Sequence, residues 1–219
     1  MKGFEEWLGT NSHPVTLFVI ADLFLSEEFS QWFSHLLEAY PERLTVGCHG
    51  LNHRSWSAWP EDKGGFSQAL QQATQILRKM AGDAYRPWFR APGGYMAPWM
   101  ASVLAEHGYK VDSSINPSWL VKRKAGKGNS WTDVAQSLQD SNLVSRPWKT
   151  SLSLPMNGPA LSLFPLSILA RWSWRKAPHS IEAKDIDRTV TNSKQEVTTL
   201  YWHLLDHARK KATWKPPFQ

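Results

Sequence analysis

The sequence predicts an α/β protein built on a parallel sheet, because short apolar runs alternate with amphipathic helical stretches. The runs 16–21, 44–48 and 85–90 read as buried strands, and a fourth begins at 109–112. Strands that alternate with helices pair in parallel, with the helices outside the sheet. Such a sheet is either open and doubly wound or closed into a barrel. In both architectures, ligand sites collect at the C-terminal ends of the strands.

Apolar residues at helical spacing predict a helix after each of the first three strands. Ser26 suits the N-cap of the first helix, and Pro41 ends its pattern. Gly82 follows the second helix, and Pro98 fits the first turn of the third. The predicted helical stretches are 27–40, 66–80 and 98–108.

The second half of the chain has a weaker pattern. Residues 116–150 are rich in polar and basic side chains and are predicted to be irregular. Beyond them we expect strands at 152–156 and 197–204, and helices at 161–174 and 181–194, the first of these helices interrupted at Pro165. We expect residues 1–209 to form a single domain. The basic segment 210–219 reads as a frayed tail.

Composition excludes several classes of protein. The chain has 219 residues, a net charge of +6 and a single cysteine, Cys48, so a disulfide framework is excluded. No run of about 18 apolar residues is present, and no transmembrane helix is expected. Met1 is followed by no apolar signal segment, which predicts a cytoplasmic protein. No nucleic-acid motif accompanies the basic charge, so a nucleic-acid partner is not expected.

Two histidines follow the second strand, in His49-Gly50-Leu51-Asn52-His53. Histidines four residues apart can face one metal ion if the segment forms a helical turn. Imidazole suits Zn²⁺, Fe²⁺ or Ni²⁺, and a catalytic site usually needs a third protein ligand. The alternative reading is a pair of polar loop histidines.

Two further segments lie where strands are predicted to end. Arg90 precedes Ala91-Pro92-Gly93-Gly94-Tyr95, a tight turn whose backbone N–H groups could stabilise an oxyanion. His203 ends an apolar run and suits a general acid near a metal. The alternatives are an ordinary turn with a surface arginine and a structural histidine.

In this order and spacing, the motifs resemble the polysaccharide deacetylases, also called the NodB-homology group or carbohydrate esterase family 4. The resemblance extends roughly from residue 14 to residue 206. It rests on segments similar to the family's successive motifs: Thr16–Ile20, His49–His53, Arg90–Gly94, Gly108–Tyr109 with Asp112–Ser114, Leu152–Met156 and Leu200–His203.

The resemblance implies a distorted (β/α) barrel with fewer than eight regular strands, and a divalent metal, zinc first, with cobalt, nickel or iron as alternatives. It implies that His49 and His53 are metal ligands, Arg90 the partner of the catalytic base, and His203 the general acid. Substrate contacts would come from the backbone at Gly93, Gly94 and Tyr95. Leu200 would line the acyl pocket, and Trp56 would offer a stacking surface for a sugar.

One departure from the family pattern concerns the first motif, a strand that ends in an Asp pair. Residues 1–15 contain no Asp, although the motif should lie upstream of Thr16. Three explanations are open: a start that lies further upstream, a member that has lost catalysis, or a substitute carboxylate. Asp22 and Asp112 are the candidates for substitution. We expect the first, which would leave the barrel incomplete at its N-terminus.

The resemblance implies a metal-dependent hydrolase that removes an N-acyl group, usually N-acetyl, from an amino sugar in polysaccharide or glycan-precursor metabolism. Its bond specificity would be for non-peptide carbon–nitrogen bonds, and its partner an acylated amino-sugar substrate. The alternative is a catalytically impaired relative that binds carbohydrate without hydrolysis. The sequence does not define the oligomeric state.

Overall fold

The strands of the main sheet follow one another in space in the same order as in the sequence. The structure, a computed structural model, describes residues 2–177, 198–209 and 214–217. All five strands are parallel, in the order β1-β2-β3-β4-β5. They are β1 Val15–Val19, β2 Leu44–Cys48, β3 Tyr85–Phe89, β4 Val111–Asp112 and β5 Val144–Ser145.

Helices connect these strands and continue beyond them. The helices are α1 Lys2–Thr10, α2 Glu27–Ala39, α3 Lys63–Ala81, α4 Trp99–Glu106, α5 Trp131–Asp140 and α6 Leu166–Arg175. Crossovers between parallel strands are right-handed, so a sheet that always grows in one direction places its helices on one face. A doubly wound sheet needs a reversal of strand order, and this order has none. The topology therefore favours the barrel of the two predicted architectures.

The predicted elements up to residue 112 are confirmed, but the irregular stretch predicted for 116–150 is wrong. It contains a 3₁₀ segment, Trp119–Ala125, followed by α5 and β5. A capping box opens α5, because the Ser130 hydroxyl accepts from the Asp133 N–H while the Asp133 carboxylate accepts from Ser130. Serine followed three residues later by aspartate was the sequence signal for this helix.

Two strand predictions in the second half are also wrong. The segment predicted as a strand at 152–156 is a hairpin of β6 Thr150–Ser151 and β7 Leu154–Pro155. Its turn residues Leu152 and Ser153 have φ of 50° and 58°, which a strand cannot contain. The predicted helix at 161–174 is confirmed as α6, preceded by a 3₁₀ turn at Gly158–Leu161.

The run predicted as the last strand, 197–204, forms only a single parallel bridge between Thr199 and Trp148. A 3₁₀ segment, Leu204–Ala208, follows, because the Asp206 carboxylate accepts the His203 N–H at 2.9 Å and caps the turn. The helix predicted at 181–194 lies outside the described residues.

The apolar interior has two clusters. The larger one lies between the sheet and α1 to α5, and the smaller one joins α6 to Met156, Leu161 and Trp214. Trp202 packs against both clusters. Trp214 belongs to the segment predicted as a frayed tail, yet it is buried; the domain boundary at 209 stays a prediction. In the described part of the chain, no helix is long and apolar enough to cross a membrane.

Candidate active site

Backbone hydrogen bonds extend the sheet by one residue past the C-terminal end of each strand. His49 N–H donates to Val19 O, Arg90 N–H to Cys48 O, and Ser113 N–H to Phe89 O, at 2.8 to 2.9 Å. Because these bonds fix the first residue of each loop, the side chains that begin the loops occupy defined positions. His49, Arg90 and Ser113 therefore stand in a row along one edge of the sheet.

The two predicted metal-binding histidines lie side by side. Their ring centroids are 5.3 Å apart, although the loop forms bends and not the helical turn that the spacing would allow. His49 Nδ1 lies 2.7 Å from Arg90 O. Donation from Nδ1–H to that carbonyl leaves the Nε2 lone pair free, which is the usual orientation of a metal-binding histidine. Burial lowers the pKa of His49 to about 3, so the ring is neutral.

Arg90 lies in a box of aromatic rings beside the histidines. Its guanidinium carbon is 4.4 Å from the Phe18 ring centroid, 5.0 Å from that of Tyr201 and 5.5 Å from that of Trp148. Burial lowers its pKa to about 10, which leaves the group charged at neutral pH. The π faces of the rings stabilise this partly buried cation.

The hydrogen bonds of Arg90 differ from the role that the resemblance implied. Nε donates to Ser113 O at 3.0 Å, and Nη2 donates to the Ser113 hydroxyl at 2.8 Å. No carboxylate of the described residues forms an ion pair with it. Among those residues, Arg90 therefore joins β3 to the end of β4, and the partner predicted for it, a catalytic carboxylate, is absent.

Asp112 is one of the two candidate substitute carboxylates, and both of its carboxylate oxygens accept hydrogen bonds from Ser114. They accept the Ser114 N–H at 2.9 Å and the Ser114 hydroxyl at 2.6 Å, and that hydroxyl accepts from Ala91 N–H. Burial raises the pKa of Asp112 to about 6. These bonds tie the end of β4 to the loop after Arg90, so Asp112 positions the loop from beneath it.

The glycine loop has fewer free donors than the sequence predicted. Gly94 N–H donates to Ala91 O and Tyr95 N–H to Pro92 O, at 2.8 and 3.2 Å. Both N–H groups therefore stabilise the 3₁₀ turn. Of the three backbone N–H groups predicted to contact the substrate, the Gly93 N–H remains the candidate oxyanion donor. Lys124 Nζ donates to Gly93 O at 2.7 Å and holds the loop from the other side.

His203 lies against Tyr201, one of the rings that contact Arg90. Its ring packs edge-on against Tyr201, with centroids 5.6 Å apart, and its side chain is 56% exposed. Burial of the rest of the ring and the nearby cations lower its pKa, and Asp206 opposes that shift. Charges on Arg90 and His53 contribute to the same shift, which places His203 within electrostatic range of both.

The remaining predicted site residues have different environments. Leu200 is partly buried against the smaller core. Trp56 is buried against Phe66 and under the Arg54 guanidinium, so the predicted sugar-stacking surface is wrong for this ring. Trp59, three residues later, is 63% exposed. Asp22 follows β1, and its N–H donates to Leu51 O within the histidine loop.

The donor set for a metal is incomplete among the described residues. Within 2–177, 198–209 and 214–217, no three His, Cys, Asp or Glu side chains are grouped so that they could hold an ion. His49 and His53 fit a divalent ion as two of its ligands, because one ring is neutral and correctly oriented and the other lies beside it.

Sequence reasoning missed three residues of the site: Trp148, Tyr201 and Lys124. Trp148 Nε1–H donates to Ser113 O at 2.6 Å, and its ring lies 4.3 Å from that of Tyr201. Both rings enclose Arg90. A tryptophan in a segment predicted as irregular carries no signal of this role. Lys124 belongs to a basic run that reads as solvated.

Comparison with known proteins relates the first half of the chain to one family. Residues 4–111 match the family model for polysaccharide deacetylase. The peptidoglycan deacetylase of Helicobacter pylori is 26% identical over 124 residues, covering 49% of this chain and 39% of that protein. The chain thus corresponds to about two fifths of the length of this curated relative.

A solved structure of a Mycobacterium smegmatis protein, assigned as a polysaccharide deacetylase, is similar in fold. It superposes with a TM-score of 0.52 at 17% identity, over 92% of this chain and 62% of that one. At this identity the likeness shows the fold alone. It confirms the predicted α/β class, a distorted barrel with fewer than eight strands.

Proposed function

We propose that the chain, whose residues 4–111 match the polysaccharide deacetylase family model, removes an N-acyl group, N-acetyl first, from an amino sugar in a metal-dependent reaction. The observation that carries the proposal is the histidine pair. His49 and His53 lie beside each other at the end of β2, and His49 is oriented by Arg90 O.

In this proposal, His49 and His53 hold a divalent metal, zinc first, with cobalt, nickel or iron as alternatives. When bound, such an ion supplies Lewis acidity for the acyl carbonyl and for water. The protein supplies the orientation of the ligands: the Arg90 carbonyl fixes the His49 ring, and the backbone bond to Val19 fixes the start of the loop. Burial lowers the pKa of His49 to about 3, so the ring is neutral at neutral pH.

The glycine loop supports the acyl oxygen. The Gly93 N–H is the proposed donor, since Gly94 and Tyr95 use theirs within the turn. Lys124 accounts for the position of Gly93, because its ammonium donates to Gly93 O. Leu200 is proposed to contact the acyl methyl group.

His203 is the proposed general acid. Hydrolysis of the amide consumes one water, and the leaving amine needs a proton as the carbon–nitrogen bond breaks. His203 is exposed to solvent, and Asp206 lies 3.7 Å from its Nδ1, where it stabilises the protonated ring. The carboxylate also accepts the His203 N–H and so sets the backbone conformation there.

Exposed aromatic rings near the loops offer stacking surfaces for sugar rings. Trp59 is 63% and Trp119 is 62% exposed. Trp119 opens the 3₁₀ segment that carries Lys124, and Trp59 follows the histidine loop. Both lie on elements that contact the glycine or histidine loop, which is why we assign them, and not Trp56, to the substrate.

The test is release of acetate from N-acetylglucosamine oligomers by the full chain. Chelation should abolish release, and zinc, cobalt, nickel or iron should restore it to different degrees. His53→Ala should reduce the rate by about a thousandfold, as expected for loss of a catalytic metal. His35→Ala, at an exposed position on α2, is the matched control and should leave the rate unchanged. Release that survives chelation would contradict the proposal.

The second candidate is a domain that binds carbohydrate without hydrolysis. It is favoured by Asp112, whose carboxylate oxygens are engaged by Ser114 and, within the described residues, do not join the two histidines as a third metal ligand. Calorimetric binding of the oligomers without any release of acetate, in zinc-loaded protein, would support this candidate against the first. The cytoplasmic location stays a prediction from the sequence.

A further inference from the structure

Large apolar side chains are exposed on the turn before α6 and on one side of that helix. Leu163, Phe164, Ile168 and Trp172 are 62%, 77%, 65% and 51% exposed, and we call them the α6 face. Ile168 and Trp172 are four residues apart and so share one side of the helix. The opposite side packs into the smaller core through Ala170 and Trp174. Contiguous exposed apolar area of this kind marks an interaction surface.

The charges around the α6 face are all positive along this part of the chain. Residues 141–177 contain no Asp or Glu, whereas they carry the basic residues Arg146, Lys149, Arg171, Arg175 and Lys176. Lys176 lies beside the face itself, since its Nζ is 3.9 Å from the Trp172 ring centroid. An apolar surface with a basic border complements a surface that is apolar and negatively charged.

A cleft with anion-binding chemistry adjoins the face. It is lined by Ser162, Ser167, Arg171 and Arg209, with Leu161 and Trp214 at its apolar wall. Three of these residues directly precede members of the face in sequence, so the cleft and the face are adjacent. Arg209 donates to the Ser162 hydroxyl and pairs with Asp206 at 3.0 Å. Arg171 forms no ion pair with a carboxylate of the described residues.

We propose that the α6 face docks the protein on a membrane surface that contains anionic phospholipid. A lipid phosphate would lie in the cleft between Arg171 and Arg209, with the serine hydroxyls as further donors. Phe164, Ile168 and Trp172 would enter the boundary between head groups and acyl chains, where aromatic and aliphatic side chains are favoured. The combination distinguishes a lipid surface from a free anion, which needs no apolar border. The proposal does not depend on the hydrolase activity.

The test is flotation of the full chain with lipid vesicles. The protein should bind vesicles made of equal parts phosphatidylcholine and phosphatidylglycerol, bind pure phosphatidylcholine weakly, and lose affinity as salt is raised. Ile168→Ser should weaken binding by about fivefold through lost apolar contact. Arg171→Glu should weaken it by about tenfold or more.

Two control variants separate this surface from general effects. Lys79→Glu makes the same charge change as Arg171→Glu, at an exposed site on α3. Leu25→Ser removes a leucine beside α2 that is 88% exposed, more than Ile168 at 65%. Both should bind vesicles as the unchanged chain does. Thermal unfolding and acetate release from soluble oligomers should be unaffected in all four variants, so this test and that of the proposed function fail independently.

Three results would overturn the proposal. One is absence of binding to the anionic vesicles. Another is an equal loss of binding in Lys79→Glu and Arg171→Glu, which would indicate nonspecific attraction to net charge. The third is a concentration-dependent dimer in sedimentation that Ile168→Ser abolishes while vesicle binding is unchanged, because the occupant of the α6 face would then be a second copy of the chain.

Discussion

The candidate site is built from two regions that hold their side chains in different ways. In the sheet region, residues 2–145, His49 and Arg90 begin loops whose first residue is still hydrogen-bonded to a neighbouring strand. In the C-terminal region, residues 148–177 and 198–209, Tyr201 and His203 follow a single bridge between Thr199 and Trp148. Ring contacts and a capping carboxylate fix them in place of a ladder.

This difference matches the demands of the two proposed roles. Metal ligands need fixed directions, and the ladder with the Arg90 carbonyl provides one for His49. A general acid needs proton exchange with solvent, and His203 is more exposed than His49. Arg90 belongs to the first region but contacts Trp148 and Tyr201 of the second, so it joins the two.

Removing Arg90 should have the largest effect on stability. Arg90→Ala leaves Ser113 without two donors and opens a cavity among three rings, so we expect a loss of about 3–5 kcal/mol in the free energy of unfolding. Urea unfolding measures it. Arg175→Ala, at an exposed position of α6, should change stability by less than about 0.5 kcal/mol. A loss below about 1 kcal/mol in Arg90→Ala would show that the two regions are joined elsewhere.

Asp112 makes the free energy of unfolding depend on pH. Its pKa is about 6 in the folded state and about 3.9 in an unfolded chain. Between these values the folded protein retains a proton that the unfolded chain has released, so the free energy of unfolding falls as the pH rises from about 4 to 6. The raised pKa of Asp112 contributes roughly 2–3 kcal/mol to the free energy of unfolding. This contribution is fully present below about pH 4.

Asp112→Asn should remove this part of the pH dependence, because an amide does not titrate. The measurement is the difference in unfolding free energy between the variant and the unchanged chain at pH 4 and pH 7. A difference that does not change with pH would show that Asp112 keeps its ordinary pKa in the fold.

A glycine in each region tests how tightly the site is packed. A Cβ at Gly47 would lie 2.7 Å from the Phe18 ring and 3.1 Å from Trp88 O, so Gly47→Ala should cost about 1–2 kcal/mol. A Cβ at Gly158 would lie 2.6 Å from the Tyr201 hydroxyl, and φ there is +54°. Gly158→Ala should cost about 1 kcal/mol and lower kcat by displacing Tyr201 and His203.

Gly64 provides the matched control for both glycine variants. It lies in α3 with open space around its Cα, so Gly64→Ala should stabilise the protein by about 0.5–1 kcal/mol. The comparison would fail if Gly47→Ala lowered kcat more than Gly158→Ala at similar stability. That outcome would show that activity is more sensitive to displaced side chains in the sheet region than in the C-terminal region.

The two regions also differ in how far the sequence predicted them. Continuous apolar runs identified β1 to β3 and the start of β4, and period-3.6 patterns identified α2 to α4, because these elements bury one face or both. The short strands of the C-terminal region carry no such pattern, and a left-handed turn at Leu152 and Ser153 interrupts the one run that resembled a strand. Long-range ring contacts, such as Trp148 on Tyr201, leave no periodic signal.

The histidine pair and Arg90 could be predicted because they end apolar strands, where ligand sites collect. The hydrogen bonds and ring contacts that these side chains form could not be predicted. Arg90 contacts Ser113 and three rings, and Trp56 is buried while Trp59 is exposed. Spacing alone gives neither the direction of a side chain nor the neighbour that the fold brings to it.

The most direct test of the account is zinc binding by the full chain, measured by calorimetry and by metal analysis after dialysis. We expect one tightly bound ion per chain, lost in both His49→Ala and His53→Ala and retained in His35→Ala. We also expect that Arg90→Lys, which keeps the backbone carbonyl under His49, binds zinc more tightly than either histidine variant. Equal zinc binding in all four variants would contradict the assignment of the histidine pair as the metal site.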